Sequence, residues 1–376
     1  MAELASMVHV PFYDLRPSHE PLKDRLLAEI GALVDSNAYT NGPHVAAFEH
    51  AWADYCGVEH CVGVASGLDA LRLALIAAGI ERGDEVIVPA NTFIATFEAV
   101  SEIGATPVPV DITFDDYNID PDAASSAITR RTRYLIPVDL YGQLCDAKAI
   151  RRVAADAGIE VIEDAAQAHG ATRDGIAAGS IGRAAAFSFY PAKNLGAFGD
   201  AGALVTSDGT LADAVRALRE HGQRAKYRHE LEGFTARLDT IQALVLLHKL
   251  ELLDEWNEQR RSIASAYDVG LADVGELVLP PRPNGSDPVW HLYVVRTGDP
   301  DALAEFLAQR GIGTGRHYPE PPHLSSAYSW LGYKEGAFPV AETVCRQGLS
   351  LPMFPGLSER QVEAVVESVR DFFAGG

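Results

Sequence analysis

Hydrophobic and polar positions form alternating blocks over the first two thirds of the chain. Short apolar runs alternate with longer stretches whose apolar residues recur at helical spacing. The first unit consists of an apolar run at 60–65, a helical stretch at 68–78 closed by Gly79, and a second run at 85–89. Strand, helix and strand in this order predict a βαβ unit, and therefore a parallel sheet covered by helices.

The same alternation continues to residue 254. We predict five more strands, at 106–110, 134–138, 160–163, 184–189 and 203–206. We predict further helices at 20–33, 43–56, 121–128, 146–157, 209–221 and 239–254.

The pattern changes after Trp256. A helix at 257–273 leads into a proline-rich connector, followed by a strand at 291–296, a helix at 300–310, a strand near 312–317, a loop rich in proline and aromatic residues, and a helix at 358–374. A chain of 376 residues is longer than a single small hydrophobic core usually supports. We therefore predict a large domain over 1–255 and a smaller α+β domain over 256–376.

Composition narrows the class of protein. Hydrophobic residues make up 47% and charged residues 22% of the chain, which is ordinary for a globular protein. No apolar run reaches membrane-spanning length and the N-terminal stretch does not resemble a secretory signal, so we expect a cytoplasmic protein. The net charge of −21 argues against nucleic acid and anionic membranes as partners.

Two cofactor classes are disfavoured. The four cysteines are scattered without a CxxC pair, and no His/Cys/Glu set accompanies His169, so we predict neither a metal site nor a disulfide frame. No GxGxxG opens a βαβ unit, which disfavours a dinucleotide-binding enzyme.

A single lysine interrupts the apolar stretch 184–202. Lys193 lies in the turn-rich segment PAKNLG, between two predicted core strands. An ammonium group is costly to bury, so either the side chain reaches solvent at the turn or the protein uses it. A desolvated lysine amine has a lowered pKa and becomes a nucleophile that forms Schiff bases with carbonyl groups.

Other stretches could meet Lys193 at one edge of the sheet. Ser66 and Gly67 begin a helix, whose N-terminus suits a phosphate, although a simple N-cap is the alternative. Phe93 follows the strand at 85–89 and could stack on a flat ring or belong to the core. Ser188 ends the strand before Lys193, and its hydroxyl could reach a phosphate.

A second set of polar residues follows the predicted strand at 160–163. Asp164 and Gln167 could hold a protonated ring nitrogen and a neighbouring ring oxygen, while a surface turn is the alternative. His169 is as consistent with packing as with ligand contact. Taken together, lysine, carboxylate, aromatic ring and helix N-terminus describe a pyridoxal phosphate (PLP) site.

Five motifs extend this hypothesis across the chain. They are VASGLDAL at 64–71, VIVPANTF at 86–93, EDAAQAH at 163–169, FSFYPAKNLG at 187–196 and RLDTIQA at 237–243. With them the chain resembles the aspartate-aminotransferase-type PLP enzymes, and more narrowly the DegT/DnrJ/EryC1/StrS family of nucleotide-sugar aminotransferases. The resemblance implies a large domain with a mainly parallel seven-stranded sheet flanked by helices.

The resemblance also implies residue roles. Lys193 forms the Schiff base and shuttles the proton, Asp164 pairs with the pyridinium nitrogen, and Gln167 approaches the ring hydroxyl. Phe93 stacks on the ring, and the phosphate is held by Ser66, Gly67, Leu68 and Ser188.

Members of the family are homodimers whose sites are shared between subunits. A loop at 233–237 of the partner usually supplies an asparagine to the phosphate. This chain has Thr235 there. Its hydroxyl can hydrogen-bond a phosphate but is shorter than asparagine.

The segments 222–229 and 316–323 are most similar to enzymes acting on dTDP-linked 3-keto-6-deoxyhexoses. We expect L-glutamate as amino donor, pyridoxamine phosphate between two half-reactions, and a 3-amino-3,6-dideoxyhexose as product. The residues expected to contact the diphosphate and sugar are Tyr190, Lys226, Tyr227, His229, His317, Tyr318 and His323.

Alternatives remain open. The basic segment at 222–229 could be only a solvent-exposed surface that contacts no substrate. A 4-aminotransferase on a 4-keto sugar or a non-catalytic PLP-binding regulator would share these motifs, whereas sugar dehydratases of the family carry histidine in place of Lys193.

Overall fold

The computed structural model describes residues 8–375, and strands and helices alternate through most of that range. The strands are β1 (His60–Val64), β2 (Glu85–Pro89), β3 (Thr106–Val110), β4 (Thr132–Leu135), β5 (Glu160–Asp164), β6 (Thr172–Arg173), β7 (Ile176–Ala177), β8 (Ala184–Ser188), β9 (Gly202–Thr206), β10 (Gln223–Ala225), β11 (Arg228–His229), β12 (Ser286–Asp287), β13 (Tyr293–Arg296) and β14 (Gly348–Leu351).

Helices cover both faces of the central sheet and also pack in the C-terminal third. They are α1 (Arg16–His19), α2 (Lys23–Ser36), α3 (Pro43–Cys56), α4 (Gly67–Ala77), α5 (Ala95–Ser101), α6 (Pro121–Ala127), α7 (Ala147–Ala157), α8 (Gly209–Leu218), α9 (Thr240–Leu250), α10 (Leu253–Leu271), α11 (Pro300–Gln309), α12 (Pro339–Gln347) and α13 (Glu359–Ala374).

Seven strands form one sheet in the order β1-β9-β8-β5-β4-β2-β3. β9 runs antiparallel to β1 and β8, and the other neighbouring pairs are parallel. All seven strands predicted between residues 60 and 206 are present in this sheet, so the prediction of a mainly parallel α/β fold is confirmed.

The sheet is buried on both faces, which explains why its strands are apolar throughout rather than alternating. Successive side chains of β2 show this directly. Ile87 packs in one hydrophobic cluster with Phe48 and Trp52 of α3, whereas Val86 and Val88 pack in another with Leu71 of α4. Because successive side chains of a strand point to opposite faces of the sheet, β2 contacts the helices on both faces.

A further hydrophobic cluster lies in the C-terminal third. It joins α10 and α13 to the antiparallel pair β13–β14, and includes Val10 from the start of the described chain. The predicted domain boundary between residues 255 and 256 falls within α10, which runs unbroken from Leu253 to Leu271. The two-domain division stays a prediction.

The sequence missed several elements of the fold. Helix α5 was not predicted, and α12 and β14 lie in the segment interpreted as a loop rich in proline and aromatic residues. The short elements α1, β6, β7, β10, β11 and β12 were not predicted either. The strand predicted near 312–317 is wrong, because only isolated bridges occur there, from Ile312 to Val10 and from Gly315 to Ser350. In residues 8–375 we find no helix with the length and apolar character that a membrane crossing requires.

Candidate active site

A cavity of about 480 Å³ opens at the carboxyl edge of the sheet, where β5 and β8 end. It gathers residues that are far apart in sequence, as expected for the crevice of an open α/β sheet. The predicted site residues that line it are Ser66, Gly67, Leu68, Phe93, Asp164, Gln167, Ser188, Tyr190, Lys193, His317 and Tyr318.

The N-terminus of α4 forms one wall. Ser66 caps the helix by accepting a 3.0 Å hydrogen bond from the Asp69 amide. A Cβ on Gly67 would lie 2.8 Å from Cβ of Ser188, and a Cβ on Gly202 would lie 2.3 Å from the Ser66 carbonyl carbon. Two glycines therefore let the helix terminus approach β8 and β9 closely, which suits an anion at that end.

Asp164 ends β5 on the opposite wall. Its Oδ2 accepts a 2.8 Å hydrogen bond from the Thr96 hydroxyl, and its Oδ1 accepts a 3.2 Å bond from the Ala166 amide. Burial raises the pKa of Asp164 above its ordinary value, while those hydrogen bonds and the charge of Lys193 act in the opposite direction. Within residues 8–375 Asp164 forms no ion pair.

Lys193 lies on the turn after β8, half-buried in the cavity wall. Its backbone amide closes the turn by donating to the Tyr190 carbonyl over 2.8 Å. Desolvation lowers the pKa of the Lys193 amine to about 8, partly opposed by the charge of Asp164. The amine is therefore much closer to its nucleophilic neutral form than an ordinary lysine.

The turn that carries Lys193 is fixed from two sides. Asn194, which is buried, donates to Oδ1 of Asn257 on α10 and to the carbonyl of Val289, both over 2.9 Å. The buried ammonium of Lys249 on α9 donates to the Gly196 carbonyl. These contacts restrict the backbone on which the Lys193 side chain moves.

Gln167 and two aromatic rings complete the cavity. Oε1 of Gln167 accepts a 2.7 Å hydrogen bond from the Tyr141 amide, and its Nε2 donates to the Tyr318 hydroxyl over 3.3 Å. The ring of Phe93 is half exposed and lies 5.3 Å from the Tyr318 ring. Phe93 therefore offers a free face to a planar ligand instead of filling the core.

His169 is fully buried and does not line the cavity. Its Nε2 bonds the Ser188 carbonyl at 2.9 Å, and its ring packs against Trp52, Phe187 and Phe189. Burial lowers the pKa of His169 to about 3, so the ring is neutral and Nε2 donates. The packing interpretation of His169 is the one that the structure supports.

Four predicted residues lie outside the cavity on the surface of this chain. Lys226, Tyr227 and His229 belong to the exposed β10–β11 hairpin, and Thr235 lies beside it with Oγ1 3.1 Å from Nε2 of His221. A single chain therefore does not bring them to Lys193.

His323 requires a correction. It was predicted to contact the sugar, but its side chain is fully buried, 3.3 Å from Glu342 and edge-on to Phe338. A side chain enclosed in this way cannot touch a ligand in the cavity.

The sequence missed several lining residues. Thr92, Glu98 and His291 all face the cavity. Glu98 lies one turn into α5, a helix that was not predicted. No motif in the sequence indicated His291, because its place in the cavity depends on a contact with Asn194, almost a hundred positions earlier in the chain.

The site suits PLP on two structural grounds. A buried carboxylate without an ion pair among residues 8–375 matches a protonated ring nitrogen, and the N-terminus of α4 lines the cavity with Ser66, Gly67 and Leu68, which suits a phosphate. No group of three His, Cys, Asp or Glu side chains placed to hold a metal occurs in the described part of the chain. Fold and site together define a PLP-dependent aminotransferase.

The chain belongs to the DegT/DnrJ/EryC1/StrS aminotransferase family, whose sequence profile matches residues 21–370. It is 48% identical over 372 residues to the dTDP-3-amino-3,4,6-trideoxy-alpha-D-glucose transaminase of Streptomyces venezuelae, covering 99% of this chain and 98% of that protein. It is 43% identical over 363 residues to the dTDP-3-amino-3,6-dideoxy-alpha-D-galactopyranose transaminase of Aneurinibacillus thermoaerophilus, covering 96% and 99%.

A solved structure agrees closely with the fold. The S. venezuelae protein DesV, solved in complex with a ketimine intermediate, superposes with a TM-score of 0.95 at 49% identity, covering 97% of this chain and 98% of that one. The predicted family and the PLP-dependent aminotransferase class are thereby confirmed.

Proposed function

We propose that the protein, in the cytoplasm, transfers the amino group of L-glutamate to C3 of a dTDP-linked 3-keto-6-deoxyhexose. The product is a 3-amino-3,6-dideoxyhexose. The observation that carries the chemistry is the placement of Lys193 and Asp164 in one cavity at the carboxyl edge of the sheet. The substrate assignment is supported by the two dTDP-sugar transaminases to which the chain is 48% and 43% identical.

Bound PLP supplies an electron sink that lets an amino group leave one carbon skeleton and join another. Lys193 Nζ, with a pKa lowered to about 8, takes up and returns the proton at the reacting carbon near neutral pH. The carboxylate of Asp164 would hold the ring nitrogen protonated, and Gln167 would lie near the ring hydroxyl.

The phosphate group would rest on Ser66, Gly67 and Leu68 at the start of α4, with Ser188 opposite. The half-exposed ring of Phe93 would cover one face of the cofactor and limit access of water to it. His317, Tyr318 and Tyr190 line the rest of the cavity, where the sugar would bind.

The decisive substrate experiment compares two keto sugars. The purified protein with glutamate is incubated with the dTDP-3-keto or the dTDP-4-keto 6-deoxyhexose, and the product is identified by NMR. Amination at C3 supports the proposal, and exclusive amination at C4 moves the assignment to a 4-aminotransferase. PLP binding without conversion by glutamate would indicate a non-catalytic regulator.

We further propose a homodimer in which the β10–β11 hairpin and Thr235 of one subunit serve the partner's cavity. The exposure of Lys226, Tyr227 and His229, all outside this chain's own cavity, supports that arrangement. Two inactive variants test it, K193A and a triple alanine variant of the hairpin. Mixed dimers regain activity if the sites are shared, because one site then receives both intact parts; absence of recovery contradicts sharing.

A further inference from the structure

Tyr141 lies where the edge of the central sheet meets the C-terminal third of the chain. Its buried side chain belongs to a hydrophobic cluster that joins Val138 and Leu140, which line the cavity, to Leu292 and Val294. The backbone of Tyr141 is left-handed, with φ 61° and ψ 7°, a conformation that a bulky residue rarely adopts. Strain of this kind at a buried residue beside a cavity calls for a functional explanation.

The backbone of Tyr141 makes two hydrogen bonds to different parts of the chain. Its N–H donates to Oε1 of Gln167 over 2.7 Å, and its carbonyl oxygen accepts from the Leu292 amide over 3.3 Å. A backbone N–H only donates, so the orientation of the Gln167 side-chain amide is fixed with Oε1 towards Tyr141. The opposite end of that amide, Nε2, donates to the Tyr318 hydroxyl over 3.3 Å.

The side-chain hydroxyl of Tyr141 makes a third contact, by donating to the His317 carbonyl oxygen over 2.5 Å. Burial raises the pKa of Tyr141 well above its ordinary value, so the hydroxyl keeps its proton and stays a donor. Nδ2 of Asn91 lies 3.5 Å from the hydroxyl oxygen. It is a donor only and does not compete with the His317 carbonyl for the hydroxyl proton.

Three hydrogen bonds therefore close a circuit around His317 and Tyr318. Gln167 holds Tyr318, the hydroxyl of Tyr141 holds His317, and the amide of Tyr141 holds Gln167. On its other side, Nδ1 of His317 lies 2.9 Å from the Ser350 hydroxyl, in the C-terminal third. In the described part of the chain, the bonds from Gln167 and Tyr141 are the ones that join this pair of residues to the sheet edge.

His317 and Tyr318 line the same cavity as Lys193, whereas Tyr141 lies behind them and does not line it. We propose that Tyr141 is a positioning residue whose hydroxyl holds His317 and Tyr318 in place for the keto sugar. Its backbone amide orients Gln167 on the cofactor side, and its hydroxyl acts on the substrate side. This inference rests on the proposed function, in which the sugar binds against these two residues.

Tyr141→Phe separates the two roles. It removes the hydroxyl and leaves the backbone amide, so the contact with His317 is lost while the contact with Gln167 stays. Tyr134→Phe is the matched control. Tyr134 and Tyr141 are each 6% exposed, and the Tyr134 hydroxyl also donates to a backbone carbonyl, that of Ala78, over 2.7 Å. Tyr134, however, does not line the cavity or contact a residue of the circuit.

Steady-state kinetics with the dTDP-3-keto-6-deoxyhexose give the first readout. Tyr141→Phe should raise KM for the sugar about three- to tenfold, as expected for one lost hydrogen bond, while kcat stays unchanged. The PLP dissociation constant, measured by absorbance titration, should also stay unchanged, because Gln167 keeps its orientation. Tyr134→Phe should match the wild type in all three quantities.

Three kinetic results overturn the proposal. The first is a wild-type KM in Tyr141→Phe. The second is an equal rise of KM in both variants, which would indicate a general loss of stability. The third is a loss of PLP affinity in Tyr141→Phe as large as the change in KM, which would place the hydroxyl on the cofactor side.

Hydrogen exchange examines the position of the two residues without activity. In the PLP-loaded protein without sugar, the peptide containing His317 and Tyr318 should exchange faster in Tyr141→Phe than in the wild type or in Tyr134→Phe, as measured by mass spectrometry. The peptide containing Gln167 should exchange equally in all three. Equal exchange of the first peptide in all three proteins overturns the proposal.

A crystal structure of the wild type with the dTDP-3-amino-3,6-dideoxyhexose product tests the proposal without a variant. We expect the hexose to contact His317 or Tyr318, with the Tyr141 hydroxyl still bonded to the His317 carbonyl. A hexose that touches neither residue overturns the proposal. The proposed function fails separately, if the wild type does not aminate the 3-keto sugar. Amination by the wild type together with an unchanged KM in Tyr141→Phe defeats this inference alone.

Discussion

The hydroxyl of Thr96 donates a 2.8 Å hydrogen bond to Oδ2 of Asp164, and both side chains are buried. This contact, from the second residue of α5, counteracts the effect of burial on the carboxyl pKa. Oγ1 of Thr92 lies 2.8 Å from Oγ1 of Thr96 and extends the hydrogen-bond chain by one step. The ionised state of Asp164 thus depends on a helix that the sequence did not predict.

Replacing Thr96 by valine should weaken PLP binding. Hydrogen bonds to charged groups contribute about 1.5–3 kcal/mol, so we expect roughly a tenfold or greater increase in the PLP dissociation constant, measured by absorbance titration. Thr92→Val removes only the second link and should have a smaller effect. Wild-type affinity in Thr96→Val would contradict the role given to this contact.

The amine of Lys193 should lose its proton at a much lower pH than the amine of an ordinary lysine. Its folded pKa is about 8, so the neutral amine appears as pH rises through that value, and the rate at which the cofactor-free protein takes up PLP should rise with it. Asp164→Asn removes the charge that raises this pKa and should shift the midpoint lower. Lys249, whose pKa is also about 8 through burial alone, gives the internal control.

That control is read from the Lys249 peptide in acetylation experiments. Its midpoint should be the same in Asp164→Asn and in the wild type. A shift at both lysines would indicate a general change of structure rather than a local electrostatic effect.

Gly202→Ala should disturb the phosphate end of the cavity. The added Cβ would lie 2.3 Å from the Ser66 carbonyl carbon and oxygen, which are backbone atoms without freedom to move aside. We expect a loss of about 1–3 kcal/mol in unfolding free energy, together with weaker PLP binding. Thermal and urea unfolding measure the first effect.

Gly31→Ala is the matched control. Gly31 lies in the middle of α2, and a Cβ there would meet nothing within 4 Å. It should stabilise the protein by about 0.5–1 kcal/mol through higher helix propensity and leave PLP affinity unchanged. Equal behaviour of the two alanine variants would refute the close-packing argument.

Asp139 and Glu163 form a buried carboxyl pair next to Asp164. Burial raises the pKa of both groups, while the amides of Gly179 and Ile181 bind Glu163 over 2.7 and 2.8 Å. A raised folded pKa means that the folded protein holds more protons than the unfolded chain. The pair's contribution is therefore fully present at low pH and is lost as pH rises through the folded values.

Asp139→Asn should flatten this dependence. Unfolding free energy measured by urea from about pH 4, where an ordinary carboxyl titrates, upwards should fall less steeply with pH than in the wild type. Asp156→Asn, at an exposed position of α7, should leave the slope unchanged. A wild-type slope in Asp139→Asn would show that this carboxyl does not cause the pH dependence.

The central sheet and the core of the site could be predicted because both follow from local patterns. Apolar runs mark strands that are buried on both faces, and Asp164 and Lys193 come directly after two of them. Parallel strands end at one edge, so strand order alone brings those two residues together.

The rest depended on contacts that a pattern does not show. His291 reaches the cavity through Asn194, 97 positions earlier in the chain. His323 was assigned to the sugar from its neighbours in sequence, but a short helical turn buries it against Glu342. Thr235 and the hairpin residues lie outside the cavity of their own chain, so their role depends on a second subunit.

The central claim is that Lys193 is the residue that carries the cofactor. The direct measurement is reduction of the PLP-loaded protein with borohydride, followed by mass spectrometry of the tryptic peptides. We predict that the cofactor mass is found on the peptide containing Lys193 and that Lys193→Ala abolishes both the label and transamination. A label on Lys249, whose pKa is also lowered by burial, or no label in the wild type, would contradict the account.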